Sequence, residues 1–214
     1  MTFAPVAHGA DAEALTDEAA CQGTAEGEAQ MLITIVYESM FGETRRVAEA
    51  IARGAAQAGG GAEVTLRRVT DITPGEVGAS DVLIVGGPTH VHSMSRPVTR
   101  VEAENWSRNP DKAVVLEPGA LGVGVREFLA GLPATRASFA AFDTRADSAR
   151  ILTGSAARAI RKRLVAKGLS ELMPSRSFAV TADGGLIDGE LERAIAFGTS
   201  LVNAVNQAPT ATRS

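Results

Sequence analysis

Cysteine, aromatic residues and long apolar runs are scarce in this chain, and their scarcity limits the kinds of site and of structure that it can form. Cys21 is the only cysteine, so an internal disulfide and a cysteine-based metal cage are both impossible. No apolar run approaches the ~20 residues that span a bilayer, which argues against membrane insertion. The chain has one Trp and one Tyr, so few rings are there to stack on a planar ligand. We expect a cytoplasmic protein whose 45% hydrophobic content builds one core.

Charge is unevenly distributed along the 214 residues. Residues 1–30 contain no Lys or Arg but hold six of the 25 acids, so the other 19 acids and all 21 bases give residues 31–214 a net charge of +2. The first 30 residues also lack a positive start and an apolar core of the kind found in secretory signals. We expect residues 1–30 to be a disordered acidic extension, residues 31–208 to form one domain, and residues 209–214 to be a C-terminal tail.

From residue 31 onward, apolar runs alternate with helical patterns. The predicted strands are Leu32–Tyr37, Glu63–Val69, Asp81–Gly86, Arg136–Phe142 and Phe178–Val180. The predicted helices begin after Gly42, near Ser95 as an N-cap, at Gly124, at Thr153 and at Asp188 as an N-cap. Five strands that alternate with helices predict an α/β fold: a three-layer, doubly wound parallel sheet covered on both faces.

The segment Ile35–Ile51 carries the strongest signal in the chain. An apolar strand runs into a short loop that contains Ser39, Gly42 and Thr44, and a helix follows at once. Such a loop offers backbone N–H groups, two hydroxyls and a helix N-terminus to one point, which suits a phosphate group. Glycine lets the backbone approach the anion closely. An ordinary strand-to-helix turn capped by Thr44 is the alternative interpretation.

The same segment resembles the flavodoxin signature at every position, from the aliphatic pair Ile35-Val36 to the helical Ala48 and Ile51. The resemblance extends over nearly all of residues 31–214 and implies a short-chain flavodoxin-like domain, because no insertion interrupts the predicted fifth strand. It implies the strand order 2-1-3-4-5 of flavodoxins, with the ligand at the switch point between strands 1 and 3. The implied cofactor is FMN.

The resemblance places the FMN phosphate on the first loop, through Ser39, Met40, Phe41, Gly42, Glu43 and Thr44. The hydroxyls of Ser39 and Thr44 and the amides of the loop are the implied donors. A carboxylate at Glu43 is unfavourable beside a phosphate dianion, although the helix N-terminus favours it. We expect the Glu43 amide to serve the phosphate and its side chain to turn away toward solvent.

The resemblance places a second loop, residues 86–94, along the flavin ring. The implied contacts are Gly87, Pro88, Thr89, His90 and Val91. Flavodoxin-like proteins often have a stacking aromatic where this chain has His90, so His90 stacks on the ring or forms a hydrogen bond near it. The alternative for His90 and His92 is a solvated loop histidine. We expect no metal here, because no Asp, Glu or Cys partner stands at a suitable spacing.

A third loop, after the fourth strand, is implied to support the pyrimidine edge of the ring through Asp143, Thr144 and Arg145. A cation at that edge would stabilise the reduced anionic flavin and raise its potential. The alternative is a surface arginine paired with Asp143 or Asp147, and the sequence leaves both possibilities open.

Three functions agree with these features. The first is a monomeric FMN-binding protein that transfers electrons without acid–base catalysis, with a redox protein or a quinone as its partner. The second is a flavodoxin-like NAD(P)H:quinone reductase or quinone-linked oxidase, favoured by the lack of a bulky aromatic to cover the ring. The third is a binding module without a cofactor. The basic helix of residues 158–167 lacks interleaved aromatics, so we expect a solvated face and no nucleic acid.

Overall fold

The computed structural model describes residues 30–110, 112, 114–147, 154–181 and 183–207. The predicted tail, Thr153 and all of the predicted acidic extension except residue 30 lie outside the described residues. No helix in these ranges combines the length and the apolar content that crossing a bilayer requires.

The described residues form one parallel sheet. Its strands are β1 Leu32–Tyr37, β2 Glu63–Arg68, β3 Val82–Pro88, β4 Ser138–Ala146, β5 Ser170–Glu171 and β6 Arg176–Val180. Their order is β2-β1-β3-β4-β5, and β6 also pairs with β4. In the central register, Ile35 of β1 lies between Leu66 and Ile84. This order confirms the predicted doubly wound fold, including the switch point between β1 and β3.

Two short strands, β5 and β6, occupy the fifth position of the sheet, where one strand was predicted. β5 pairs with Ser138–Phe139 at the start of β4, and β6 pairs with Phe142–Ala146 at its end. Residues 172–175 interrupt the pairing, and this segment contains Pro174, which cannot donate a ladder hydrogen bond. The predicted fourth strand is also displaced, because β4 runs from Ser138 to Ala146 and pairs with β3 as far as Thr144 and with β6 as far as Ala146.

In the part of the chain that the structure describes, five α-helices and one 3₁₀-helix cover the sheet. They are α1 Glu43–Gln57, the 3₁₀-helix Pro74–Ala79, α2 Pro97–Ser107, α3 Val125–Gly131, α4 Ala156–Ala166 and α5 Glu190–Gln207. Two predicted caps are wrong. Ser95 is buried and accepts a hydrogen bond from Arg100 Nη1, while Thr99 Oγ1 accepts from the Arg96 amide in front of α2. α5 begins at Glu190 rather than beside Asp188, because Gly189 intervenes at φ +84°.

The hydrophobic core lies in two layers, one on each face of the sheet. On one face α3 and α4 pack through Phe128, Ile160 and Leu164. On the other face α1 and α5 pack through Ile51 and Leu201. Because helices cover both faces, the carboxyl ends of β1, β3 and β4 open at one edge of the molecule, the position at which doubly wound folds bind their ligands.

Candidate functional site

A cleft of about 360 Å³ lies at the carboxyl ends of β1, β3 and β4. All three predicted loops reach it. The predicted residues that line it are Met40, Phe41, Glu43, Thr44, Pro88, Thr89, His90, Val91, Thr144 and Arg145. Four others, Ser39, Gly42, Gly87 and Asp143, are buried and are not part of its lining. The topology thus brings three segments distant in sequence to one place.

The first loop is a tight turn whose shape depends on Gly42. Gly42 has φ +103° and immediately precedes α1, in a conformation that a side chain disfavours. Its amide donates a 3.1 Å hydrogen bond to Ser39 Oγ, and its carbonyl accepts the Arg46 amide at 3.0 Å. The Ser39 hydroxyl therefore stabilises the turn as an acceptor and keeps its own hydrogen for another partner.

A hydroxyl pair joins the first loop to the third. Thr44 Oγ1 and Thr144 Oγ1 lie 2.7 Å apart, and both side chains are buried beside the cleft. A hydrogen bond between two hydroxyls uses one hydrogen and leaves the other available as a donor. This pair can therefore offer one donor to a ligand next to the N-terminus of α1.

Glu43 lies closer to the cleft than we predicted. Its side chain is only 19% exposed, and Glu43 Oε2 accepts a 2.8 Å hydrogen bond from Arg46 Nη1. The carboxylate therefore pairs with a cation on its own helix instead of pointing into solvent. This pairing offsets the repulsion that an isolated carboxylate would exert on an anion bound at the helix N-terminus.

The second loop turns sharply between His90 and Ser93. His90 N donates to Ser93 O at 2.7 Å, and Ser93 N donates to His90 O at 3.0 Å. The two residues between them, Val91 and His92, have φ +40° and +69°, as in a type I′ turn. A β-branched residue at positive φ is strained, and such strain persists where the surroundings determine the conformation. Val91 is nevertheless 72% exposed, at the rim of the cleft.

His90 differs from the solvated histidine that was the alternative for this position. Its side chain lines the cleft and is partly buried. Burial, and to a smaller extent the charge of Arg100, lowers the pKa of His90 to about 4. The imidazole is therefore neutral at pH 7 and presents one donor and one acceptor nitrogen. His92, in contrast, is exposed.

We expect the ring of His90 to remain neutral in NMR titrations until the pH falls to about 4. The unfolded chain, with a histidine pKa of about 6.5, binds more protons than the folded chain between these two values, so His90 lowers stability as the pH falls through this window. It contributes nothing at pH 7 or above. Urea unfolding of wild type and His90→Asn at pH 7 and about pH 4.5 measures the difference. An ordinary His90 titration midpoint would contradict this prediction.

Asp143 supports the site from below and does not face the cleft. The side chain is fully buried, and Asp143 Oδ2 accepts from Ser155 Oγ at 2.6 Å, from Ala157 N at 2.9 Å and from Thr89 Oγ1 at 3.1 Å. Thr144, the next residue of β4, lines the cleft and pairs there with Thr44 Oγ1. Asp143 thereby fastens the start of α4 to the second loop.

Helix α2 supplies a wall of the cleft that sequence reasoning missed. Thr99, Glu102, Ala103 and Trp106 line it, and Trp106 is 50% exposed. Together with Phe41, Trp106 gives the cleft an aromatic surface. The expected lack of such a surface was the argument for an open site and for a quinone reductase or oxidase. The only tryptophan of the chain indicated a residue that could contact a planar ligand, but nothing in the sequence places α2 beside the cleft.

A buried polar cluster lies behind the cleft and was also missed. Glu38 and Arg100 are 3% and 4% exposed. Glu38 Oε2 accepts from Val125 N at 2.8 Å, and Arg100 Nη1 donates to Ser95 Oγ at 2.9 Å and to Glu127 Oε2 at 3.2 Å. Burial is the main reason that the pKa of Glu38 is raised. The cluster ties the end of β1 to α2 and α3, and it holds the first two loops in register.

Comparison with known proteins agrees with this geometry. The flavodoxin family model matches residues 35–196. A flavodoxin from the domain Archaea is similar over 82% of this chain and 99% of its own, at 19% identity and a TM-score of 0.55. Flavodoxin 1 from Bacillus cereus is similar over 80% of this chain and 97% of its own, at 16% identity and a TM-score of 0.56.

A larger protein contains a similar unit. The Flv1 flavodiiron core from Synechocystis sp. PCC6803 matches 85% of this chain at 21% identity and a TM-score of 0.53, but only 38% of that protein is covered. No curated protein sequence matches this chain. At such low identities the structural likeness shows the fold alone.

Proposed function

Because this chain belongs to the flavodoxin family, we propose that it binds FMN in the cleft and acts in electron transfer. One observation carries the proposal: the N-terminus of α1, after Gly42, opens at the switch point of the sheet onto a largely apolar cleft. A phosphate group and a flat aromatic ring need these two environments side by side.

The residues present fit both parts of FMN. The turn from Ser39 to Thr44 offers backbone amides, the hydrogen of Ser39 Oγ and one hydrogen of the Thr44–Thr144 pair to the phosphate. The ring would lie among Met40, Pro88, His90 and Trp106, which line the apolar part of the cleft. Neutral His90 adds no charge there and keeps one donor and one acceptor for polar atoms of the ring.

FMN, when bound, supplies one-electron and two-electron redox chemistry, and the protein supplies orientation and electrostatics. The buried Glu38–Arg100 cluster would keep the loops around the ring in place. No side chain has to take up or release a proton for one-electron transfer. We therefore favour a carrier over an enzyme with its own acid–base residues.

Arg145 is the side chain that we propose raises the flavin potential, since it lines the cleft beside Thr144. We expect Arg145→Ala to lower the midpoint potential by roughly 30 mV, because a partly screened charge near the ring favours the reduced anion. Arg145→Lys keeps the charge and serves as the control. Redox titration of the FMN-loaded variants measures the shift, and an unchanged midpoint for Arg145→Ala would remove the role from this residue.

Visible absorption of the purified protein during FMN titration tests the proposed function. We expect saturable binding, with quenching of Trp106 fluorescence by the nearby flavin, and no bleaching when NAD(P)H is added without oxygen. Rapid bleaching by NAD(P)H would favour the quinone reductase or oxidase. Failure to bind FMN would leave the module without a cofactor as the function.

A further inference from the structure

Basic side chains gather on the face formed by α3, α4 and the residue before α2. Residues 154–170 contain five bases and no acid. We call this surface the basic face, and it comprises Arg96, Arg126, Arg158, Arg161, Lys162, Arg163 and Lys167. Because the whole of residues 31–214 carries only +2, the positive charge is concentrated here and not spread over the domain.

The basic face is joined directly to the second loop. Arg126 Nε donates to Ser95 O at 2.9 Å, and Arg126 Nη2 donates to Met94 O at 2.8 Å. Ser155 N, immediately before α4, donates to His92 O at 3.3 Å. Gly154 packs against His92 so closely that a Cβ atom would lie 2.2 Å from the His92 carbonyl oxygen. The start of the basic face is therefore part of the rim of the cleft.

Some of these cations have partners within the described part of the chain. Arg161 Nε pairs with Glu171 Oε2 at 2.6 Å, and Lys167 Nζ donates to Leu132 O at 2.7 Å. Arg158 and Lys162 remain exposed on α4. The pKa of Arg126 is lowered, first by burial and then by the charges of Arg163 and Arg96. Like charges thus crowd together, which an acidic partner would relieve.

An apolar residue lies where this face meets the cleft. Val91 is 72% exposed and held at φ +40°, so the turn presents an aliphatic side chain to solvent at the cost of backbone strain. Protein interfaces commonly place apolar contacts inside a polar rim. Nucleic acid is less well matched, because residues 154–170 contain no aromatic residue on which bases could stack.

We propose that the basic face docks an acidic protein, with Val91 in the contact, so that the partner lies over the rim of the cleft. Charge complementarity would speed the encounter and orient the partner, because fields of this kind steer association. The link to electron transfer rests on the proposed function, whereas the binding of an acidic chain does not.

NMR titration of the full-length, ¹⁵N-labelled protein with poly-L-glutamate tests the surface without requiring FMN. We expect shift changes at Arg126, Arg158, Lys162 and the loop around Val91, with affinity that falls as salt rises. Arg158→Gln/Lys162→Gln should weaken binding about fivefold, since two exposed charges are lost. The control Arg53→Gln/Arg67→Gln removes the same charge from α1 and β2 and should change binding by less than about twofold.

Equal effects of the two double variants would overturn the proposal, because binding would then reflect net charge alone. Tighter binding of duplex DNA than of poly-L-glutamate at the same residues would also overturn it and assign the face to nucleic acid. In the FMN-loaded protein, poly-L-glutamate should slow oxidation of the reduced flavin by ferricyanide in the wild type and much less in Arg158→Gln/Lys162→Gln. If FMN does not load, the proposed function fails while the NMR result still decides the surface.

Discussion

Gly42→Ala is expected to weaken FMN binding by tenfold or more, because only glycine adopts φ +103° in front of α1 without steric strain. The nearest atoms to an added Cβ lie at 3.7 and 3.8 Å, so the penalty is backbone strain and not a collision. Strain of this kind costs about 1–3 kcal/mol, and the turn relieves it by rotating the amide away from Ser39 Oγ. The amides would then no longer converge on a phosphate.

FMN titration of wild type and variant, followed by visible absorption or Trp106 fluorescence, measures this loss. Gly59→Ala is the matched control, because Gly59 has φ +77° and no atom within 4 Å of an added Cβ, and it lies beyond the far end of α1. The control should lower stability and leave the FMN dissociation constant unchanged. If Gly42→Ala binds FMN as tightly as wild type, the phosphate does not bind at this turn.

Gly198→Ala is expected to lower the free energy of unfolding by about 2–3 kcal/mol, although alanine is the better helix former by about 1 kcal/mol. A Cβ at position 198 would lie 2.1 Å from Ile51 O, and one at Gly54 would lie 2.0 Å from Ile195 O. Both collisions are with backbone, so α1 and α5 would have to separate. Separation would also break the 3.0 Å hydrogen bond from Thr199 Oγ1 to Gly54 O.

Urea unfolding at pH 7 tests this expectation. Gly78→Ala is the control, because Gly78 lies in the 3₁₀-helix with no atom within 4 Å of an added Cβ. It should change stability by no more than about 0.5 kcal/mol. A Gly198→Ala variant as stable as the wild type would mean that the two helices have room to move apart at little cost.

Gly42 and Gly198 illustrate which features of the fold can be predicted from the sequence and which cannot. Gly42 stands in a strand-loop-helix segment whose chemistry is local, so its place in a tight turn before α1 was predictable from the neighbouring hydroxyls and the helix that follows. Gly54 and Gly198 lie 144 positions apart in the chain, and each looks like an unfavourable residue inside a helix. Their purpose depends on a helix contact that no local pattern contains.

The parallel sheet was predictable for a related reason, whereas its strand order and the three loops of the site were implied by the resemblance to flavodoxins. Runs such as Val82–Val85 identify strands buried on both faces, and the alternation with helices requires a parallel sheet. Once the sheet is parallel, the loops after β1, β3 and β4 must meet at one edge. The break between β5 and β6 was not predictable. Pro174 interrupts a strand only where a neighbouring strand needs its hydrogen bond, and the sequence does not show that β4 is that neighbour.

The amino-acid sequence by itself determined the doubly wound sheet, because the alternation of apolar runs with helical patterns encodes it, and it indicated the family through the signature in Ile35–Ile51. Tertiary structure alone decided that Trp106 of α2 lines the cleft, that Asp143 faces α4 instead of the cleft, and that burial keeps His90 neutral at pH 7. These outcomes depend on burial and on contacts between distant segments. Such contacts exist only after the chain has folded.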